Sequence, residues 1–430
     1  MKEITDPGLK SFLNIAPDSD FPIQNLPYGI FQPDALSKPR GGVAIGEWIL
    51  DLSVLEENGF FYEIVGQPSN IFSKPTLNLF LEQGPEVWHA TRAVITRLLR
   101  EDEPVLRDNK NLQNQVLVPQ AEARLSLPVQ ISNYTDFYSS EHHARNVGEI
   151  FRGRDKSLLP NWKYIPIAYH GRASSIVLSH TSIYRPYGQI LAKDQASPTF
   201  GPTQFLDFEV EIGAFVGCGN ELGQPIPMSE AQKHLFGMVL VNDWSARDIQ
   251  LWEYQPLGPF LAKSFATSIS PWIVPFEALD PFRCKGPEQT PEPLPYLQNS
   301  HPFSFDINLE VAIQTEKMAE AQIISRTNTK NLYWDLLQQV THHTSNGCNL
   351  QTGDLLASGT ISGPDPESYG SMLELTWNKS QAIKLDSGEI RFALEDGDTI
   401  ILKGWCQGDG YRIGLGNVTG KILAAKESRL

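Results

Sequence analysis

Residues Phe205 to Val216 read FLDFEVEIGAFV. Leu206, Phe208, Val210, Ile212, Ala214 and Val216 share one parity, and Asp207, Glu209 and Glu211 share the other. Successive side chains of a strand point to opposite faces. The pattern therefore predicts a strand with one apolar face and three carboxylates lining the other. Neighbours at i and i+2 are close enough for two of them to grip one ion. Carboxylates that near repel, and a bound divalent cation removes the repulsion. A solvated acidic face on an edge strand is the competing reading of the same pattern.

Much of the chain downstream of about residue 125 also reads as strand. Phe303, Phe305, Ile307, Leu309, Val311 and Ile313 alternate mostly with polar residues, and Leu373, Leu375 and Trp377 alternate likewise. Gly353-Asp354, Gly397-Asp398 and Gly408-Asp409-Gly410 mark turns between strands. Asn331 to Val340 is predicted helical. Gly286 to Pro302 holds five prolines and is predicted to be an exposed loop. Upstream, Gly41 to Ser53 predicts short strands around glycine turns. Glu86 to Arg100 predicts a helix with Val87, Ala90, Val94, Ile95 and Leu98 on its core face. The prolines of Leu117 to Gln130 mark a change of character. The expected division is a small domain over 1–125 and a large β-rich domain over 126–430.

Composition narrows the function. The 430 residues carry 35 Lys and Arg against 50 Asp and Glu, a formal net charge of −15. Nucleic acid is disfavoured, because a phosphate backbone is bound by clustered cations. No run approaches the roughly 20 apolar residues of a membrane span. The first thirty residues hold no apolar signal-peptide core. Cys218, Cys284, Cys348 and Cys406 are scattered and form no Cys-x-x-Cys pair, which excludes a zinc ribbon or a disulfide framework. A reducing compartment, the cytosol first, is expected, although Ser428-Arg429-Leu430 is close to a peroxisomal address.

Two further acids strengthen the metal reading. Asp136 sits in NYTDFYSS, and Asp243 follows the apolar run Met238 to Val241. An all-carboxylate donor set suits a hard cation such as Ca²⁺ or Mg²⁺. His142 and His143 follow Asp136 closely and are equal candidates for deprotonating a water there. His342 and His343 are expected in a loop or a core contact. On the residues alone, Arg247 and Lys263 read equally as ion-pair partners of the acidic strand, and Tyr138, Tyr169 and Tyr254 as core aromatics.

The segments NYTDFYSSEHHARNVGEIFRG, LLPNWKYIPIAYHGRASS, LDFEVEIGAFVG, GMVLVNDWSARDIQLWEYQPLGPFLAKSFATSISPW and CNLQTGDLLASGTISGPDPESYGSMLEL are colinear over about residues 130–420. Together they resemble the fumarylacetoacetate hydrolase family, and the first 125 residues resemble the N-terminal domain of its full-length form. The resemblance implies an SH3-like N-terminal barrel followed by a mixed β-roll catalytic domain, and a homodimer. It implies metal-dependent hydrolysis of a carbon–carbon bond in a β-diketo acid. It places Ca²⁺ ligands on Asp136, Glu209, Glu211 and Asp243, leaving Asp207 unassigned. A second site, for Mg²⁺, falls on Asp243, Thr267 and Lys263, the last through its backbone carbonyl. The resemblance makes His143 the base and Glu374 the acid that orients it. Arg247, Gln250 and Lys263 match positions that stabilise developing oxygen charge. Tyr138, Arg152, Tyr169, Gln250, Tyr254 and Thr360 match substrate-binding positions. Acylpyruvate hydrolysis and oxaloacetate decarboxylation on the same fold are the alternative chemistries.

Overall fold

The strand predicted from the quoted stretch forms, but it is interrupted and it is covered on both sides. Leu206–Asp207 and Val210–Val216 are separate strands, and every residue of both is buried. The computed structural model describes residues 5–65, 70–193, 195–301 and 303–427, so the C-terminal tripeptide lies outside the described residues. Val210–Val216 pairs antiparallel with Leu235–Asp243 on one side and Leu355–Ala357 on the other. The full order of this central sheet is Ala168–Gly171, Tyr134–Phe137, Leu355–Ala357, Val210–Val216, Leu235–Asp243, Thr267–Ile269 and Ile176–Leu178, with Val274–Pro275 paired beside Leu235–Asp243.

Its two faces have different neighbours. Ile212, Ala214, Val216, Met238 and Leu240 share one apolar core with Leu309, Val311, Leu402, Ile413 and Leu415 of a second sheet. That sheet runs Gln322–Asn328, Asn308–Gln314, Thr399–Gln407, Arg412–Leu423 and Ile183–Tyr184. Phe215, Val239, Val241, Ile269 and Leu355 face the other way and share a core with Tyr28, Ile30, Val43 and Leu50. Those residues belong to an all-antiparallel N-terminal sheet, ordered Leu117–Pro119, Trp48–Asp51, Arg40–Ile45, Tyr28–Gln32 and Arg124–Ser126. The outcome is mainly β with some helices, two sheets sandwiching a third. Tyr28 bonds Ile273 through both backbone groups, at 2.9 and 2.7 Å. Gly29 permits that approach, since a Cβ there would stand 2.5 Å from the Trp272 ring. Among the described residues no helix is long and apolar enough to cross a membrane.

Several local expectations are corrected. Leu373 and Leu375 lie on a short helix, Met372–Leu375, not on a strand, because the Ser371 hydroxyl caps it by accepting the Glu374 N–H. The predicted helix over Asn331 to Val340 is instead Leu336–Thr344. It starts after Asp335, whose side chain forms a reciprocal capping box with Gln338. His342 and His343, expected in a loop or a core contact, occupy its last turn, where His343 Nε2 lies 2.9 Å from Thr135 Oγ1 and its ring centre 6.3 Å from that of Phe137. Helix Pro85–Leu99 forms, but its buried face is Trp88, Thr91, Arg92, Ile95, Thr96, Leu98 and Leu99. Val87, Ala90 and Val94 are only partly buried. The large Trp88 side chain takes the core position, and its Nε1–H reaches Phe80 O and Leu81 O at 3.1 and 3.0 Å.

Helix Glu141–Arg152 carries the candidate base and lies tight against the loop that follows it. A Cβ at Gly148 would stand 1.7 Å from the Ser157 carbonyl oxygen. Alanine normally stabilises a helix interior over glycine by roughly 1 kcal/mol. Here Gly148→Ala is expected to destabilise, by about 1–3 kcal/mol of overpacking, read as a lower denaturation midpoint at unchanged denaturant slope. A gain in stability would show that the loop yields freely.

Candidate active site

Of the two adjacent histidines, the fold selects one. Ser140 caps helix Glu141–Arg152, and its hydroxyl accepts the His143 N–H at 3.3 Å. This turns the His143 ring inward, where its Nδ1 lies 2.7 Å from Glu374 Oε2. Glu374 is buried and receives three further donors: Asn146 Nδ2 at 2.9 Å, Ser362 Oγ at 2.9 Å and Ser371 Oγ at 2.7 Å. Burial alone raises a carboxyl pKa, but attraction to His143 and these donors outweigh it and hold Glu374 below the usual range. An ionised carboxylate only accepts, so Nδ1 carries a proton, and in the neutral ring Nε2 offers its lone pair. That nitrogen points toward the carboxylates, 3.8 Å from Glu209 Oε1. His142 is half-buried and makes no such bond; burial lowers its pKa.

The carboxylates come from three strand ends and the break between two strands. Asp136 shares the face of Tyr134, Glu211 that of Phe215, and Asp243 that of Val241, so all three continue the face covered farther along by the N-terminal sheet. Oxygens of Asp136, Glu209, Glu211 and Asp243 lie within 4.8 Å of one another, and all four residues are buried. Lys263 Nζ bonds Glu209 Oε2 and lies 2.6 Å from Asp243 Oδ2. Arg247 reaches Asp207 Oδ2 through Nε and Glu209 Oε1 through Nη2, both at 2.6 Å, and Gln250 Oε1 through Nη1 at 3.0 Å. Thr267 Oγ1 donates to Asp243 Oδ1 at 3.1 Å, and Tyr169 Oη to Asp243 Oδ2 at 2.8 Å.

The remaining predicted positions divide. Tyr138 stands edge-on to His143, with ring centres 5.4 Å apart. Thr360 is buried. Arg152 is turned onto its own loop, with Nε 3.1 Å from Lys156 O and Nη2 3.0 Å from Ser157 O. Tyr254 packs 6.2 Å from the Phe151 ring. Asp207, set on the carboxylate face by strand parity, lies outside the cluster. It holds Arg247 and accepts the Met372 and Leu373 N–H groups at 2.6 and 3.0 Å. Sequence reasoning missed that role, and also Asn146, Ser362 and Ser371 around Glu374. Only Ser371 carried a readable signal, as the first residue of a Ser-x-x-Glu helix start.

Charge and hydrogen bonding indicate what the cluster accepts. Five buried carboxylates, counting Asp207, face two buried cations, Arg247 and Lys263. Burial tends to lower the Lys263 pKa, but Asp243 and Glu209 reverse that and keep it charged. Burial likewise tends to raise Glu209, and Lys263 with Arg247 pull it well below the usual range. Asp136 and Glu211 have no hydrogen-bonded cation, and the pull of Lys263 on them is outweighed. Burial first, then neighbouring carboxylates, push both well above the usual range. Asp136 Oδ1 and both Glu211 carboxylate oxygens are buried without a hydrogen-bond partner. Orphaned oxygens in an oxygen-only donor set fit a hard divalent cation. Ca²⁺ or Mg²⁺ added to cation-stripped protein is expected to raise the melting temperature, by the equivalent of about 2.7 kcal/mol at a hundredfold excess over Kd. Glu211→Gln should weaken that response at least tenfold (roughly 1.4 kcal/mol) without lowering the melting temperature of the stripped protein. An unchanged response would remove Glu211 from the ligand set.

Known proteins resemble this chain over most of its length. Residues 132–422 match the family model described as fumarylacetoacetate hydrolase C-terminal, and residues 24–128 match the fumarylacetoacetase N-terminal model. The fumarylacetoacetase of Bos taurus is 55% identical over 415 residues, covering 96% of this chain and 99% of that protein. The Arabidopsis thaliana fumarylacetoacetase is 51% identical, covering 96% and 98%. A solved fumarylacetoacetate hydrolase from Exiguobacterium antarcticum superposes with a TM-score of 0.51 at 18% identity, covering 93% of this chain and 99% of that one, which speaks to fold alone. With both family models matched and half the residues shared with relatives of equal length, the chain belongs to the fumarylacetoacetate hydrolase family, in its two-domain form.

Proposed function

We propose that this chain hydrolyses 4-fumarylacetoacetate to fumarate and acetoacetate, the last step of tyrosine and phenylalanine breakdown. The observation that carries the reading is the His143–Glu374 pair, whose free Nε2 faces the carboxylate cluster. A purely structural cation site has no use for an oriented base. Asp136, Glu209, Glu211 and Asp243 would hold Ca²⁺, and Asp243, Thr267 and Lys263 would surround a second ion, Mg²⁺. A bound divalent cation supplies positive charge that polarises the diketone oxygens.

The chain's own residues account for the rest. His143 Nε2 takes a proton from water, and Glu374 stabilises the imidazolium. The hydroxide attacks the carbonyl carbon beside the fumaryl group. Arg247, Lys263 and Gln250 hold the resulting oxyanion. Gln250 suits the task because its Oε1 is already taken by Arg247, which leaves its amide N–H groups to donate. The carbon–carbon bond then breaks, its electron pair passes into the neighbouring carbonyl as an enolate, and protonation at carbon gives acetoacetate. Tyr138, Tyr169 and Tyr254 line the substrate. Arg152, once released from its loop carbonyls, pairs with a terminal carboxylate in bidentate geometry, and Thr360 completes the wall. The N-terminal sheet is read as SH3-like, the assembly as a homodimer and the location as cytoplasmic.

The direct test is loss of the ultraviolet absorbance of fumarylacetoacetate on adding enzyme and Ca²⁺. No loss, alongside turnover of a shorter keto acid, would favour an acylpyruvate hydrolase or an oxaloacetate decarboxylase. His143→Ala is expected to keep fold and cation affinity while kcat falls by about 10²–10⁴-fold; near-normal turnover would rule out His143 as the base. For Glu374→Gln the protein should stay folded with a large fall in kcat, and an unchanged rate would remove the dyad from the mechanism.

A further inference from the structure

Asp207 is fully buried and stands outside the cluster of four carboxylates. Its two oxygens take three donors. Oδ1 accepts the Met372 N–H at 2.6 Å, and Oδ2 accepts the Leu373 N–H at 3.0 Å and the Arg247 Nε–H at 2.6 Å. Strand Leu206–Asp207 pairs antiparallel with Ser245–Ala246, which leads directly into Arg247. The carboxylate is therefore anchored by backbone on the Arg247 side, and it reaches across to the start of helix Met372–Leu375 on the other.

Each partner has a simpler source of the same kind of interaction. Ser371 already caps the helix by accepting the Glu374 N–H at 3.3 Å, and Glu209 already balances Arg247, with Oε1 2.6 Å from Nη2. What Asp207 adds is a join between them, and the join closes a ring of contacts. Arg247 bonds Glu209 Oε1, and His143 Nε2 lies 3.8 Å from that same oxygen. His143 Nδ1 lies 2.7 Å from Glu374 Oε2, and Glu374 directly follows Leu373, whose N–H returns to Asp207. A guanidinium is planar and carries five N–H donors. Asp207, Gln250 and Glu209 take one each, on Nε, Nη1 and Nη2, so the plane is fixed and the direction of the remaining N–H groups with it.

We propose that Asp207 is a positioning residue for the hydrolysis: its one carboxylate sets both the direction in which Arg247 presents its remaining N–H groups and the place of Glu374 behind His143. The inference rests on the hydrolase reading of the site. Asp207 acts through Arg247 and the Met372–Leu375 helix, not on the reacting atoms. Its charge alone would not do this, because Glu209 already faces Arg247. Its position does, since a misplacement of about 1 Å in such a constellation costs on the order of 10²-fold in rate.

Two variants separate position from charge. Asp207→Asn keeps the shape but sets an amide N–H against at least one of the three donors. Asp207→Glu keeps the charge and displaces the carboxylate by one methylene. In each, kcat on fumarylacetoacetate with Ca²⁺ is expected to fall by about 10–100-fold, while KM stays within about threefold, as for an interaction expressed only in the transition state. A second readout needs no turnover. The His143 Nδ1 proton, bonded to a buried carboxylate, should give a far-downfield proton NMR resonance, assigned by its loss in His143→Ala. In protein without substrate that resonance should shift in both Asp207 variants, although Asp207 touches neither His143 nor the Glu374 side chain. Normal kcat in Asp207→Glu would reduce Asp207 to a counter-charge, and an unmoved resonance would break its link to Glu374; either result overturns the proposal. So would failure of both variants to fold, read by circular dichroism, which would make the role structural. A wild-type chain inactive on fumarylacetoacetate would remove the hydrolase reading instead, and the resonance would still decide whether Asp207 sets the His143–Glu374 pair.

Discussion

Asp136, Asp207, Glu209, Glu211 and Asp243 are held out of water with only Arg247 and Lys263 as permanent counter-charges. Removing an ion from water costs several kcal/mol unless partners replace its hydration. That cost orders the surrounding structure. It requires cations at fixed positions: Arg247 opens the short helix Arg247–Glu253, and Lys263 sits in the turn before strand Thr267–Ile269. It leaves Asp136 and Glu211 short of partners and so keeps a place for a further positive charge. It also ties Arg247 and Lys263 to the carboxylate cluster, because both balance the same Glu209 that His143 faces.

Sheet geometry makes so expensive a cluster tolerable. The acids extend a face that is otherwise Phe215, Val239, Val241 and Leu355, so the backbone beneath them is fixed by apolar packing on both sides. Asp207 provides a second constraint. It grips the Arg247 guanidinium while accepting the first backbone N–H groups of the helix that bears Glu374. Arg247 and Glu374 are thus positioned against one another through a single carboxylate.

The parts of this site legible in the sequence are those where local pattern and tertiary role coincide. Parity in FLDFEVEIGAFV placed Glu209 and Glu211 together, because strand alternation survives in the fold. The same parity grouped Asp207 with them, since it carries no record of the break at Phe208 and Glu209 between the two strands. On residue spacing alone His142 and His143 were equivalent; the family resemblance named His143, and in the fold it is the His143 ring that turns inward to Glu374. The alternation of Leu373, Leu375 and Trp377 spans too few residues to tell a strand from one helical turn, and the Ser371 cap decided for the turn. Asn146 and Ser362 reach Glu374 across more than two hundred and across twelve residues respectively, contacts that no local spacing announces. The face of helix Pro85–Leu99 was misread by about one position because Trp88 outweighs the smaller valines in claiming the core.

The apolar layer shared by the N-terminal and central sheets bears on how the chain is made. Tyr28, Ile30 and Val43 leave the ribosome long before Phe236, Val239 and Leu355, the residues that will cover them. For that interval the early sheet presents an unmatched greasy surface, and a chain halted near residue 130 would keep it permanently. Nascent chains in that condition are clients for chaperones and substrates for proteolysis. Premature termination in the first third should therefore leave little trace of protein, whereas loss of one carboxylate of the buried cluster leaves a full-length chain to accumulate.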